Sequence, residues 1–407
     1  MRRLSLRHCS FAAIALLWGV SRTQAAEPPG PDGPAKLTAQ QERFKDHKLG
    51  MFIHFGLYSM PKPEAAEFHP RQFDARHWVA TAKSAGARYI TFTSKHHEGF
   101  CLFDSKLTDY TSTHAPAKKD LVGDLAAECR RQDMPLFIYY SPLDYHHPDF
   151  KGNWPAYLQY WHGQLRELAT NYGEVAGFWL DVGPSPRPLK YQMWEAAQLL
   201  HQLQPKCLVM AFDFYETERS LARLGYFNRR GQDAYFPMPT PSPKAYPWEV
   251  CDTINNFWGY NPNDTHHKSS TGLIRHLVEV VGRGGNLLLN SGPMPSGRFQ
   301  AEHVERLEAM GAWLKQNGES VYGTRPLGGP VSDWGFAVSR GNRVYLHILK
   351  WPGGKLSLPG LKSRVLSASL NRGAKLEFEQ RGDSLTIRLP DSARDPVDTI
   401  VALTTAR

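Results

Sequence analysis

The chain has 407 residues, 41% of them hydrophobic and 21% charged, with a formal net charge of +9, which is enough for one large domain and a small one. No dense Lys/Arg block carries that charge, so a nucleic-acid partner is not expected, and no uninterrupted apolar run reaches the roughly 18 residues of a membrane span. The five cysteines form no CxxC pair, which argues against a zinc framework and against any metal site built on thiolates.

Arg2, Arg3 and Arg7 precede an apolar stretch from Phe11 to Val20, and Thr23-Gln24-Ala25 offers small residues for cleavage. Residues 1–26 therefore read as an export signal, too short to span, with a retained anchor as the alternative. Loss of Arg2, Arg3, Arg7 and Arg22 with that signal lowers the formal charge to +5. The mature protein is expected to be exported, to the periplasm or the medium. Cys9 leaves with the signal, and the dispersed Cys101, Cys129, Cys207 and Cys251 read as buried thiols rather than disulfides. Residues 27–40 are a Pro/Gly-rich leader.

From 41 to 325, short apolar strands alternate with helical periodicity. Strands are expected at 50–55, 88–94, 135–140, 175–181, 207–212 and 286–290, and helices at 74–85, 121–131, 154–172, 191–204 and 272–281. This order predicts an α/β fold, a (β/α)8-like (TIM) barrel with irregularity in its second half. An open doubly wound sheet is the competing arrangement, but no GxGxxG or Walker loop opens a helix. Beyond 325 the period becomes 2, with strands at 335–339, 344–349 and 384–389 and turns at Gly341-Asn342, Gly353-Gly354 and Gly382-Asp383. Residues 326–407 are expected to form a C-terminal antiparallel β-sandwich.

Four of the barrel strands end in polar groups: His54 after 50–53, His96-His97 in Lys95-His96-His97-Glu98-Gly99-Phe100, Tyr139-Tyr140, and Asp181 in Gly177-Phe178-Trp179-Leu180-Asp181. Polar groups at the ends of apolar strands are costly unless partnered, and strand C-termini are where such barrels place their binding groups. Each has a bland counterpart: a satisfied core histidine, a helix N-cap aspartate, a packed aromatic. No HExxH occurs to turn the histidines toward a metal, and no cofactor is implied.

Several blocks together resemble the retaining α-L-fucosidases of glycoside hydrolase family 29. They are Lys48-Leu49-Gly50-Met51-Phe52-Ile53-His54-Phe55-Gly56, the His96-His97 segment, Asp104 to Tyr110, Tyr139 to Pro148, Gly177 to Asp181, Trp248-Glu249-Val250-Cys251 through Trp258-Gly259-Tyr260, and Gly284 to Pro293. The resemblance implies a barrel with a C-terminal β domain, exo-acting release of terminal α-L-fucose with retention, a fucosylated oligosaccharide or glycoconjugate as substrate, and no cofactor. It makes Asp181 the nucleophile. Glu249, beside Trp248, is the expected acid/base, with Asp213 and Glu216 as competitors. His54, His96, His97, Tyr140, Trp258 and Arg229 are expected to bind the sugar, with Tyr139 packed, one of the two adjacent histidines turned away from the barrel axis, and Asn290 serving a backbone turn. Two departures stand out: Glu98 where the family usually has Asp, and a shortened segment 60–68 lacking the usual tryptophan. They leave open a same-fold glycosidase acting on another sugar, such as an α-L-galactoside, or a non-catalytic carbohydrate-binding protein. Oligomeric state is not set by the sequence.

Overall fold

In a computed structural model, the structure describes residues 37–182, 191–212, 225–230, 247–328 and 333–406. The expected export signal, 1–26, lies outside them. Eight parallel strands, β1 (Leu49–Ile53), β2 (Ile90–Lys95), β3 (Leu136–Tyr140), β4 (Gly177–Leu180), β5 (Leu208–Phe212), β6 (Gly225–Arg230), β7 (Trp248–Thr253) and β8 (Asn286–Asn290), close into a barrel in chain order. Closure is made by β8 on β1, with Met51 opposite Leu289 and Phe52 opposite Asn290. Among the described residues the sheet departs from regularity at a register shift between Thr93 and Lys95 and in a short β4–β5 pairing of two residues; residues 213–224 and 231–246 of the second half, where irregularity is expected, lie outside the described residues.

Helices cover the outside, so strands such as β1, β2 and β3 are buried along their whole length, which is why they read as continuous apolar runs. The helix starts follow from side-chain caps. Asp74 accepts from the Arg76 and His77 amides, Asp120 from Gly123, Asn153 from Ala156 and Ser269 from Gly272. Two strands escaped sequence reading, β6 (GYFNRR) and β7 (WEVCDT), because their polar residues break the apolar signal. Two helices did as well, Ala39–His47 and Ala301–Asn317. The first starts within the stretch expected to be a flexible leader and is held by a capping box between Thr38 and Gln41.

The C-terminal part has a five-stranded sheet, in the order β13 (Val365–Leu370), β16 (Thr399–Thr405), β11 (Arg343–Ile348), β10 (Gly335–Arg340) and β9 (Arg325–Pro326). Facing it is a three-stranded sheet of β12 (Lys355–Leu358), β15 (Ser384–Arg388) and β14 (Phe378–Arg381). Leu346, Leu356, Leu385, Ile387, Val401 and Leu403 fill the space between them. The Gly341-Asn342 and Gly382-Asp383 turns are two-residue hairpin loops with glycine φ values of +60° and +59°, the left-handed conformation that a tight hairpin needs. The larger sheet sets its other face, including Val338, Tyr345, Ile400 and Ala402, on the barrel. There His347 is fully buried, with Nδ1 2.6 Å from an Asp398 carboxylate oxygen and Nε2 3.1 Å from the Ser320 carbonyl. Cys101, Cys129, Cys207 and Cys251 are all buried free thiols.

Candidate active site

Asp181 follows the last residue of β4, its amide donating to the Tyr140 carbonyl at 3.0 Å, and is 6% exposed. Its carboxylate is positioned from two sides. The Tyr139 hydroxyl donates to Oδ2 at 2.9 Å, and His97 Nε2 lies 3.8 Å from the same oxygen. Burial, followed by the neighbouring His96, pushes the His97 imidazole down to about 4, so it is neutral at neutral pH. The contact is therefore a dipolar one and no ion pair. The opposite nitrogen, Nδ1, lies 2.6 Å from Ser141 Oγ, which itself donates to the Asp181 carbonyl at 3.3 Å. Burial and then the Asp181 charge hold the Tyr139 phenol far above its ordinary value, so it stays a donor.

The remaining wall is aromatic. His96 stacks on Tyr139 at 5.6 Å with 10° between planes, lies 4.1 Å from the His97 ring, and has Nδ1 3.3 Å from a Glu98 oxygen. Tyr58 closes on its other side at 4.8 Å. His54 Nδ1 is 2.9 Å from the Asn290 side-chain oxygen, while the Asn290 amide donates to the Trp258 carbonyl at 2.7 Å. That pair of bonds fixes the amide orientation and puts the His54 proton on Nδ1. The Trp258 ring sits 5.1 Å from His54. Tyr139 stacks on Trp179 at 5.3 Å. Ionisable and aromatic groups at or just beyond β1, β2, β3 and β4, and in the segment after β7, thus meet with Asn290 at the end of β8 at one end of the barrel, the end where strand C-termini lie.

Several sequence expectations need correction. Tyr140 points away from the axis: it is fully buried, donates to Gln164 at 2.7 Å, and packs on Trp161. Side chains alternate along a strand, so placing Tyr139 inward forces Tyr140 outward, and the tyrosine bonded to Asp181 is Tyr139. Glu249 is 0% exposed, with Tyr89 donating to one oxygen and the Trp179 indole to the other, each at 2.8 Å. It is the second residue of β7 and pairs with Asn286, the first residue of β8, in the deep half of the barrel. The Trp179–Tyr139 stack lies between it and Asp181, so the two carboxyls do not face each other across a pocket. Both His96 and His97 reach the site, because β2 ends at Lys95 and strand alternation ends with it. Asn290 is a partner of His54 and not a turn residue.

Arg229 lies on β6, but its side chain is outside what the structure describes; Asp213 and Glu216 are outside the described residues altogether. The shortened segment leaves Glu64 and Glu67 exposed, anchored by buried Met60 and Phe68. Tyr58, Ser141 and Trp179 were missed as site residues; strand alternation finds Trp179 from Asp181, two residues on, but Tyr58 sits in a single 3-10 turn (Leu57–Ser59) and Ser141 just past β3, where no periodic signal marks them. Among the described residues, one group offers three metal-ligating atoms, His96, His97 and Asp181, within 4.8 Å of one another. Its histidines are both already bonded through Nδ1, to Glu98 and Ser141.

Known proteins resemble the chain in sequence and in fold. The family model described as Alpha-L-fucosidase matches residues 63–319. The tissue α-L-fucosidase of Macaca fascicularis is 31% identical over 367 residues, covering 76% of this chain and 75% of that protein. The plasma α-L-fucosidase of Homo sapiens is 30% identical over 411 residues, covering 85% of each. Among solved structures, α-L-fucosidase isoenzyme 1 from Paenibacillus thiaminolyticus superposes with a TM-score of 0.80 at 32% identity, covering 91% of this chain and 99% of that one. A trapped covalent intermediate of a family 29 α-L-fucosidase from Bacteroides thetaiotaomicron, formed with 2-fluoro-fucosyl fluoride, gives 0.82 at 26% identity, covering 94% and 99%.

Proposed function

Because the chain belongs to the α-L-fucosidase family, we propose that Asp181 is the nucleophile of its retaining, exo-acting hydrolysis of terminal α-L-fucose. The observation that carries the assignment is the Asp181 carboxylate at the end of β4, oriented by the Tyr139 hydroxyl in a nest of histidine and aromatic rings. In the first displacement a carboxylate oxygen attacks the anomeric carbon as the glycosidic C–O bond breaks and the leaving oxygen takes a proton, leaving a fucosyl ester. In the second, water attacks the anomeric carbon, gives up its proton and releases the carboxylate, restoring the starting configuration. Tyr139 must share its hydrogen bond between carboxylate and ester, and His96 and the neutral His97 present nitrogen atoms to sugar hydroxyls, which both give and accept protons. Trp258 supplies an apolar wall.

The proton donor comes from another part of the rim, since Glu249 is spent on Tyr89 and Trp179. The acids that follow β5 and β6 in sequence are Asp213, Glu216, Glu218 and Asp233. A retaining pair requires a carboxyl about 5–5.5 Å from the nucleophile. Azide separates the candidates. On an activated aryl α-L-fucoside, alanine at the acid/base is rescued by azide to give an α-fucosyl azide, whereas Asp181→Ala gives the β-azide. If azide rescues none of the four and rescues Glu249→Ala instead, the placement of the donor is wrong. The substrate is a fucosylated glycan, and the enzyme is exported after loss of residues 1–26. N-terminal sequencing of the protein from periplasm or medium checks that. The division into a barrel to 325 and a β domain from 326 is checked by limited proteolysis.

A further inference from the structure

Among the described residues, four large apolar or aromatic side chains are notably exposed: Leu107, Tyr145, Phe257 and Leu366. Tyr145, at 61%, differs from the rest in its mounting. It lies in the turn after β3, and its backbone amide donates to the His97 carbonyl at 2.9 Å. Its ring is 6.2 Å from the His97 ring, and His97 Nε2 is 3.8 Å from Asp181. The ring is braced edge-on by Phe150 at 6.0 Å.

The turn beneath it is heavily fixed. Asp144 accepts from buried Lys95 at 3.1 Å and from the His146 and His147 amides at 3.1 and 2.8 Å. Gly99 comes so close to Asp144 that a Cβ there would lie 2.2 Å from its oxygen, and its φ of +86° is one that side chains disfavour. The turns after β2 and β3 are thus clamped together, and the clamp holds an aromatic face in water beside the nucleophile. An exposed ring on an immobile mount gains little for the fold, while it offers a flat apolar surface at low entropic cost to a ligand.

We propose that Tyr145 is the aromatic platform of the subsite that receives the leaving group, the pyranose ring joined to the fucose by the scissile bond. The proposal rests on the fucosidase reading and names where the second sugar goes. With the fucosyl carbon at Asp181, the ring one residue further out along the glycan passes over His97 toward the Tyr145 face.

The test compares two substrates, a fucosylated disaccharide and α-L-fucosyl fluoride, whose leaving group has no ring. Tyr145→Ala should lower kcat/KM on the disaccharide about tenfold, mainly through KM, and leave the fluoride within about twofold. Tyr145→Trp should restore the disaccharide. A loss of the same size on both substrates would overturn the proposal, showing that Tyr145 acts only by positioning His97, and so would no change on either. Failure of the unsubstituted enzyme to cleave either substrate would overturn the fucosidase reading itself, and the subsite with it.

Discussion

Replacing Glu249 with alanine separates a buried structural carboxylate from a catalytic acid. In the structure the side chain is inaccessible to solvent, and each oxygen takes one 2.8 Å hydrogen bond, from the Tyr89 hydroxyl and the Trp179 indole. Alanine leaves both donors buried without an acceptor, at about 1–3 kcal/mol each, and adds a cavity where the carboxyl and one methylene stood. The sum is on the order of 3–6 kcal/mol, against a typical total stability of about 5–15 kcal/mol. Glutamine is milder: its amide oxygen satisfies one donor while its NH2 meets the other head-on, costing about 2–3 kcal/mol. Equilibrium unfolding in urea, followed by tryptophan fluorescence, measures the difference, with activity on an aryl α-L-fucoside and azide rescue read on the same preparations. The expected outcome is a large loss of stability in both variants and no gain of activity with azide. A Glu249→Ala enzyme as stable as the parent, inactive on poor leaving groups and revived by azide, would refute the reasoning and return the acid/base role to Glu249.

Tyr139→Phe removes a hydroxyl that donates to Asp181 Oδ2 and should cut kcat by about ten- to a hundredfold, with Tyr140→Phe within about threefold; steady-state kinetics on both variants checks the inward–outward assignment. Lys48 is fully buried with no hydrogen-bond partner for Nζ among the described residues, and burial, then Arg325, pushes its pKa down from 10.5 to about 7. The folded state therefore holds that proton less tightly than the unfolded chain, so the cost is complete below pH 7 and fades as pH rises toward 10.5; Lys48→Met should add about 3–5 kcal/mol at pH 6 and flatten the rise in stability between pH 7 and 10. For His347, burial opposes protonation but the Asp398 charge and hydrogen bond, with the Ser320 carbonyl, outweigh it and raise the pKa. The stability from this pair is thus complete below about pH 6.5, the unfolded value, and is lost as pH rises through the raised folded value; thermal melts of Asp398→Asn across pH should show the loss as a flattened profile.

The architecture was legible because barrel strands buried on both faces are continuous apolar runs, as in Leu136 to Tyr140, and because turn pairs such as Gly382-Asp383 mark hairpins. β7 was hidden by its buried polar residues: Glu249 and Asp252 interrupt the run, although both are buried, Asp252 against Lys268 at 2.8 Å. Asp181 could be singled out because a carboxylate ending Gly177 to Leu180 has no local reason to be there. Glu249 misled because Trp248-Glu249 records a charged residue beside an indole without recording depth, and depth is what the pairing with Asn286 supplies. The Tyr139–Tyr140 choice turns on a single step of strand phase, which the sequence leaves open until Asp181 is seen to bond Tyr139.

The central claim is a covalent ester on Asp181. Incubating the enzyme with 2-fluoro-fucosyl fluoride, digesting it with pepsin at low pH and mapping the peptides by mass spectrometry should place the fluorofucosyl mass on the peptide carrying Asp181. The same mass on a peptide from another part of the rim, with Asp181 unmodified, would contradict it.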